Sequence, residues 1–226
     1  MEHTLNYAPE IDFTEATSKL KVVVSDGREG KEAIGYVKAY VNMDVATLNV
    51  GSQPLANNAH VKYPDAFGMV SLNDLKTYSV DYAIANEVNA KNVDFKFYCF
   101  GASGSPRLYS MDNTGKDGEF SGSTGKLSAI KVKNLTRFAI LSNFDYENAT
   151  VASISSEILS SSIAQSLLDP IAVGNVIAFR TGGSSAAGGG RIGVMKVINI
   201  TEPKELVSNN ATARVMTVEI KFPKKK

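Results

Sequence analysis

The chain has 226 residues, with 24 Lys+Arg against 23 Asp+Glu and a formal net charge of +1. That is enough for one large domain or two small ones, without the basic excess of a general nucleic-acid binder. Cys99 is the one cysteine, so an intramolecular disulfide is excluded. No apolar run approaches the ~20 residues that a membrane helix needs.

In chain order, residues 1–17 are polar and read as partly loose. Leu20, Val22 and Val24 alternate with Lys19, Lys21 and Val23, a period of two that predicts a strand. Ser25-Asp26-Gly27 closes it with turn chemistry. A second strand is expected over 34–41, buried mainly through Gly35, Val37, Ala39 and Val41, and a third over 45–50. The stretch 51–65 holds two prolines and reads as a long connection between lobes. The division expected is an N-terminal β lobe, 14–66, and a C-terminal β-rich domain with short helices, 67–226, the two being able to share one core.

Short strands are predicted at 69–72 and 76–78 around Asn73-Asp74. Ser79 then caps a helix running to Asn89, with Val80, Ile84 and Val88 as its apolar stripe. The clearest strand follows: Val93, Phe95, Phe97 and Cys99 share one face, and Asp94, Lys96 and Tyr98 the other. Gly101–Ser105 ends it. Residues 112–125 read as a polar, glycine-rich loop, and a strand is expected over 138–141. Leu159, Ile163 and Leu167, and Ile154 and Ile158, suggest one or two short helices before Pro170. The last third predicts a three-strand meander at 175–181, 191–200 and 215–222, with 182–190 as a flexible hairpin tip. In the last strand Met216, Val218, Ile220 and Phe222 face inward, while Val215, Thr217, Glu219 and Lys221 are expected to meet water. The fold class is β-rich α+β, with antiparallel sheets, sandwich-like, and a few short helices. Lys224-Lys225-Lys226 reads as a solvated tail.

The usual catalytic motifs break at identifiable positions. Gly125-Lys126 resembles the end of a phosphate-binding P-loop, but Leu127 stands where the hydroxyl belongs and Phe120 where the first glycine belongs. Asp112, Thr114, Asp117 and Glu119 are spaced like a calcium loop, but Lys116 occupies a ligand position, and a solvated loop is expected. Two histidines, His3 and His60, and one cysteine are too few for a structural zinc site. Gly101-Ala102-Ser103-Gly104-Ser105 lacks the spacing of a nucleophile elbow. Cys99 reads as a core residue, and Asp94 as a structural acid. No catalytic, cofactor-binding or metal residue is nominated. Asn-x-Thr sequons begin at Asn134, Asn148, Asn199 and Asn210.

Several segments in order carry a family resemblance. Val93-Asp94-Phe95-Lys96-Phe97-Tyr98 is followed by Thr136-Arg137-Phe138. Then come Val173-Gly174-Asn175-Val176-Ile177-Ala178-Phe179-Arg180-Thr181 and, after the glycine loop, Arg191-Ile192-Gly193-Val194-Met195-Lys196-Val197. This order resembles uncharacterised secreted or lipid-anchored proteins of Bacteroides-type bacteria over roughly residues 70–222, with Asn175 in place of the usual acid. The resemblance implies a mature exported lipoprotein, anchored upstream of this chain, at the cell surface or in the periplasm; the alternative is a cytoplasmic protein. It transfers no functional residues. The expected function is a non-catalytic envelope binding or assembly module. It would use loops 101–125 and 182–190 against a glycan, a peptide or an envelope protein, with no cofactor and no nucleic acid. The rival readings are a carboxylate-dependent hydrolase of envelope or dietary polymers and a structural or accessory subunit.

Overall fold

The computed structural model describes residues 17–25, 32–40 and 42–225, the first two segments through their backbone alone. Strands β1 (Thr17–Ser25) and β2 (Glu32–Tyr40) pair antiparallel as a two-stranded sheet, with Lys21 opposite Tyr36. The reading of residues 1–16, the turn at 26–31 and the burial of the second strand's side chains lie outside the described residues.

Two five-stranded antiparallel sheets form the body. One has the order β3 (Met43–Gly51), β12 (Val215–Pro223), β11 (Ile192–Ile200), β10 (Val176–Arg180), β8 (Arg137–Leu141). The other has the order β5 (Lys76–Tyr78), β4 (Met69–Ser71), β6 (Phe95–Phe100), β7 (Ser105–Ser110), β9 (Leu167–Leu168). The sheets pack face to face over one core. Leu48 and Val50 of β3, Phe138 of β8, Ile177 and Phe179 of β10, and Met216, Val218, Ile220 and Phe222 of β12 meet Val70, Phe95, Phe97, Cys99 and Leu108. β3 is paired with β12 from Met43 to Gly51, so the connection 51–65 joins two elements that share this core.

Both outer faces are covered as well. Over the second sheet lie α1 (Val80–Ala85), α2 (Glu87–Lys91) and the segment 112–130, with Val80, Ala83, Phe120 and Leu127 packed on Met69, Tyr98 and Tyr109. Over the first lies the segment around α3 (Val151–Glu157), with Tyr146, Ala149, Ile154 and Ile163 packed on Ala178 and Val194. A strand covered on both sides buries both of its alternating sets. Of the set expected to meet water, Lys221 is fully buried under the α3 segment and Val215 under Ala66 and Leu206, while Thr217 and Glu219 are half-buried. The Lys221 ammonium stays hydrogen-bonded by donating to the Tyr146 carbonyl at 2.6 Å, and lies 4.2 Å from the Tyr146 ring centroid.

Two helical expectations change. Ser79 does cap α1, accepting from the Tyr82 N–H at 3.1 Å. The single helix to Asn89 is instead two, because Asn86 is extended and its side chain caps α2 by accepting from the Asn89 N–H. The break rotates Val88 out to 76% exposure. In 146–168 only α3 is an α-helix; Leu159 lies beyond it, exposed, and Leu167 enters β9. Thr150 and Ser153 form a reciprocal capping box that starts α3. β7, unforeseen from the pattern, carries Pro106, and its burial does not alternate.

Gly193 is dictated by packing. A Cβ there would lie 2.4 Å from the Phe179 ring, which pairs edge-on with Phe222 at 5.2 Å between centroids.

Val207 ends the turn Pro203–Leu206 in the left-handed region (φ 52°, ψ 40°) and is 87% exposed. A β-branched residue there carries backbone strain and gains no burial. Val207→Gly is expected to raise unfolding stability by about 0.5–1 kcal/mol, the relief exceeding glycine's extra unfolded-state entropy. Urea denaturation checks the sign.

Candidate functional site

The hairpin tip 182–190 follows from the β10–β11 pairing but is not the free loop expected. The Ser184 hydroxyl donates to the Asn134 side-chain oxygen at 2.7 Å, and the Ala186 N–H donates to the Lys91 carbonyl at 2.9 Å. Ser185 and Ala187 are buried. Gly182 lies against residue 135, where a Cβ would meet the Leu135 nitrogen at 2.5 Å. Nine residues rich in glycine thus spend their flexibility on close approach to the body.

Beneath the tip lies Asp94, fully buried. It accepts from the Leu72 N–H at 2.8 Å and from the Ser185 hydroxyl, with the Asn134 amide at 3.4 Å. Asn134 also donates to the carbonyls of Lys91 and Val93. This network ties β4, β6, the 134 segment and the hairpin tip together, which gives Asp94 the structural role expected of it. Burial pushes its pKa up to about 7; the donors from Ser185 and Leu72 oppose that, and the Asp74 charge adds to it. Asn134, which opens a sequon, is itself fully buried.

The calcium-like loop is not a solvated loop. Asp117 is buried and binds two lysines, Lys96 at 2.5 Å and Lys133 at 2.6 Å. Asp112 is held in a two-pronged bond by Arg137, both distances 2.8 Å. Burial raises the Asp112 pKa, but Arg137 and Ser110 outweigh it and leave it lowered. Glu119 takes the Tyr98 hydroxyl and the Lys116 ammonium. The calcium-like spacing thus sends its acids to separate cations and donors, and no group of three or more metal-ligating side chains occurs among the described residues. The P-loop-like stretch is bound to Asp81, which accepts from the backbone N–H and hydroxyl groups of Ser123 and Thr124. Cys99 is buried, and that burial pushes its thiol up to about 12.

An open cleft of about 420 Å³ remains at the end of β6, lined by Gln53, Pro54, Phe100, Lys116, Glu119 and Thr212. Phe100 continues the β6 alternation past the covering layer and is 41% exposed. Two cations flank its ring, with the Arg107 guanidinium 4.2 Å and the Lys116 ammonium 4.9 Å from the centroid. Lys116 also lies 5.6 Å from the Tyr98 ring and pairs with Glu119 at 3.0 Å. The Tyr98 hydroxyl donates to the other Glu119 oxygen. Burial first, and then this bond, raise the Tyr98 pKa. The Tyr98 bond lowers the Glu119 pKa, so the carboxylate is ionised and fixed. Arg107 Nε lies 2.9 Å from Asp169, an ion contact without hydrogen-bond alignment.

The cleft floor is equally set. Gln53 brackets Cys99, donating to its carbonyl at 2.6 Å and accepting its N–H at 2.9 Å. Gly101, Lys116 and Glu119 come from the loop region 101–125 singled out in the sequence. The 182–190 tip forms no part of this cleft. Phe100 and Gln53 were not foreseen. For Phe100 the signal was the period of two running one residue beyond Cys99; for Gln53 there was none, since its partner lies 46 residues away.

No family model and no curated protein matches the chain. Among solved structures, it is similar to a DUF4466 family protein from Parabacteroides merdae ATCC 43184. The TM-score is 0.51 and the identity 13%, over 86% of this chain and 59% of that one. The likeness is one of fold, and this chain spans about 59% of the neighbour's length. A neighbour from this source is consistent with the resemblance to an uncharacterised Bacteroides-type family.

Two outcomes follow from the buried charges. Lys96→Met leaves Asp117 buried with Lys133 as its remaining ion partner, and is expected to cost about 3–5 kcal/mol in urea denaturation. Asp94 has a folded pKa of about 7 against 3.8 for the free group. Its contribution is full below about pH 4 and is lost as pH rises through about 7, by an amount of order 3–4 kcal/mol. Asp94→Asn removes that slope. The stability difference, variant minus parent, should rise between pH 4 and 8; a flat difference would mean that Asp94 is ionised throughout.

Proposed function

We propose that this chain is a non-catalytic binding module of the bacterial cell envelope, and that its ligand surface is the cleft at Phe100. The observation that carries the reading is the combination of an exposed aromatic ring with a charged pair, Lys116–Glu119, held by Tyr98. Preset donors and acceptors beside an apolar face are what a small polar ligand needs, because little side-chain entropy is lost on binding. The envelope location rests on the Bacteroides-type resemblance of the sequence. Three acids are committed to bonds within the fold, and this supports binding over hydrolysis at their positions. Asp94 is sealed from solvent, Asp117 is buried between lysines, and Asp112 is gripped by Arg137. Asp94 and Asp117 are thus closed to a substrate, and Asp112 is committed to Arg137.

The test is a fragment screen by two-dimensional NMR. Polar fragments are expected to shift the amides of Phe100, Gly101, Lys116 and Glu119 together. Phe100→Ala should abolish those shifts while changing stability by less than about 1 kcal/mol, since the ring is partly exposed. Hits scattered over the surface, or unaffected by Phe100→Ala, would contradict the proposal.

A further inference from the structure

Resting on the cleft's assignment as the ligand surface, we infer that its ligand is an uncharged saccharide, bound beside Phe100 with its hydroxyls on Lys116 and Glu119. Charge argues first. Lys116 and Glu119 stand 3.0 Å apart at the cleft wall. An anion drawn to Lys116 meets the carboxylate, and a cation drawn to Glu119 meets the ammonium. A neutral ligand suffers neither repulsion.

Hydrogen-bonding capacity argues second. The ammonium keeps donors beyond the one given to Glu119, and each Glu119 oxygen keeps a lone pair beyond those used by Lys116 and Tyr98. Adjacent hydroxyls, each able to donate and accept, match that alternation of donor and acceptor. An extended peptide needs open backbone groups instead. At the cleft floor the Cys99 N–H and C=O are both taken by Gln53, and the Gly104 N–H closes the adjoining turn onto the Gly101 carbonyl.

Shape argues third. Arg107 and Lys116 lie over the Phe100 ring, so the apolar surface on offer is the exposed remainder of Phe100 together with the exposed Pro54 beside it. A pyranose presents C–H groups on one face and hydroxyls at its rim, so a ring seated against the exposed parts of Phe100 and Pro54 carries its rim to Lys116 and Glu119.

The experiment titrates the isotope-labelled chain with xylo-, malto- and galacto-oligosaccharides, with oligogalacturonate and a polar tetrapeptide for contrast. At least one neutral oligosaccharide is expected to shift Phe100, Gly101, Lys116 and Glu119. It should bind about tenfold or more tighter than oligogalacturonate, and Phe100→Ala and Glu119→Gln should each weaken it about tenfold or more. Shifts at these residues from the peptide or oligogalacturonate, with none from the neutral sugars, would overturn the saccharide inference and leave the cleft as the ligand surface. Sugar-induced shifts confined to other surfaces, or no response at the cleft to any probe, would overturn both.

Discussion

Burial of both sheets on both faces is the constraint from which the rest follows. The inner faces meet over Phe95, Phe97, Phe179 and Phe222, and the outer faces are roofed by α1, α2 and residues 112–130 on one side and by the α3 segment on the other. A polar side chain that lies under this cover must then be partnered inside the protein or be excluded. Lys96 is partnered by Asp117, Asp94 by Leu72 and Ser185, and Lys221 by the Tyr146 carbonyl. These polar groups do more than survive burial. Each joins a strand to a loop far away in sequence, so the loops are located by the same bonds that keep the strands' charges satisfied.

That coupling explains why the two glycine-rich regions behave so differently from solvated loops. The 182–190 tip is clasped to Lys91 and Asn134 above Asp94. The 112–125 segment is anchored by Asp117 and Asp112, and its Ser123 and Thr124 by Asp81. Lys116 and Glu119 project from a fixed base, and this is what gives the cleft at Phe100 a defined arrangement of charge.

Much of the architecture was legible because period two is a strong local signal. The inward faces of β6 and β12 follow from the alternation of Phe95/Phe97/Cys99 and Met216/Val218/Ile220/Phe222. What was illegible depends on what covers the other face. Nothing local distinguishes Lys221 as buried from Glu219 as half-buried, because the roof over them arrives from residues 146–163. The stripe Val80, Ile84, Val88 reads as one helix because the pattern cannot see that Asn86 prefers to cap. The cleft was half visible: the loop 101–125 was marked by its glycines and acids, whereas Phe100 becomes a surface residue only because β6 outruns its cover by one residue.

The most direct measurement is native-state amide hydrogen exchange at Ala186 and Leu72, whose N–H groups donate to the Lys91 carbonyl at the end of α2 and to the Asp94 carboxyl. If these bonds locate the loops, both amides exchange only on global unfolding, with the same protection as the central strand amides of β11. Exchange of Ala186 at the rate of an open loop, while β11 stays protected, would contradict the claim that the buried polar network holds the hairpin tip to the body.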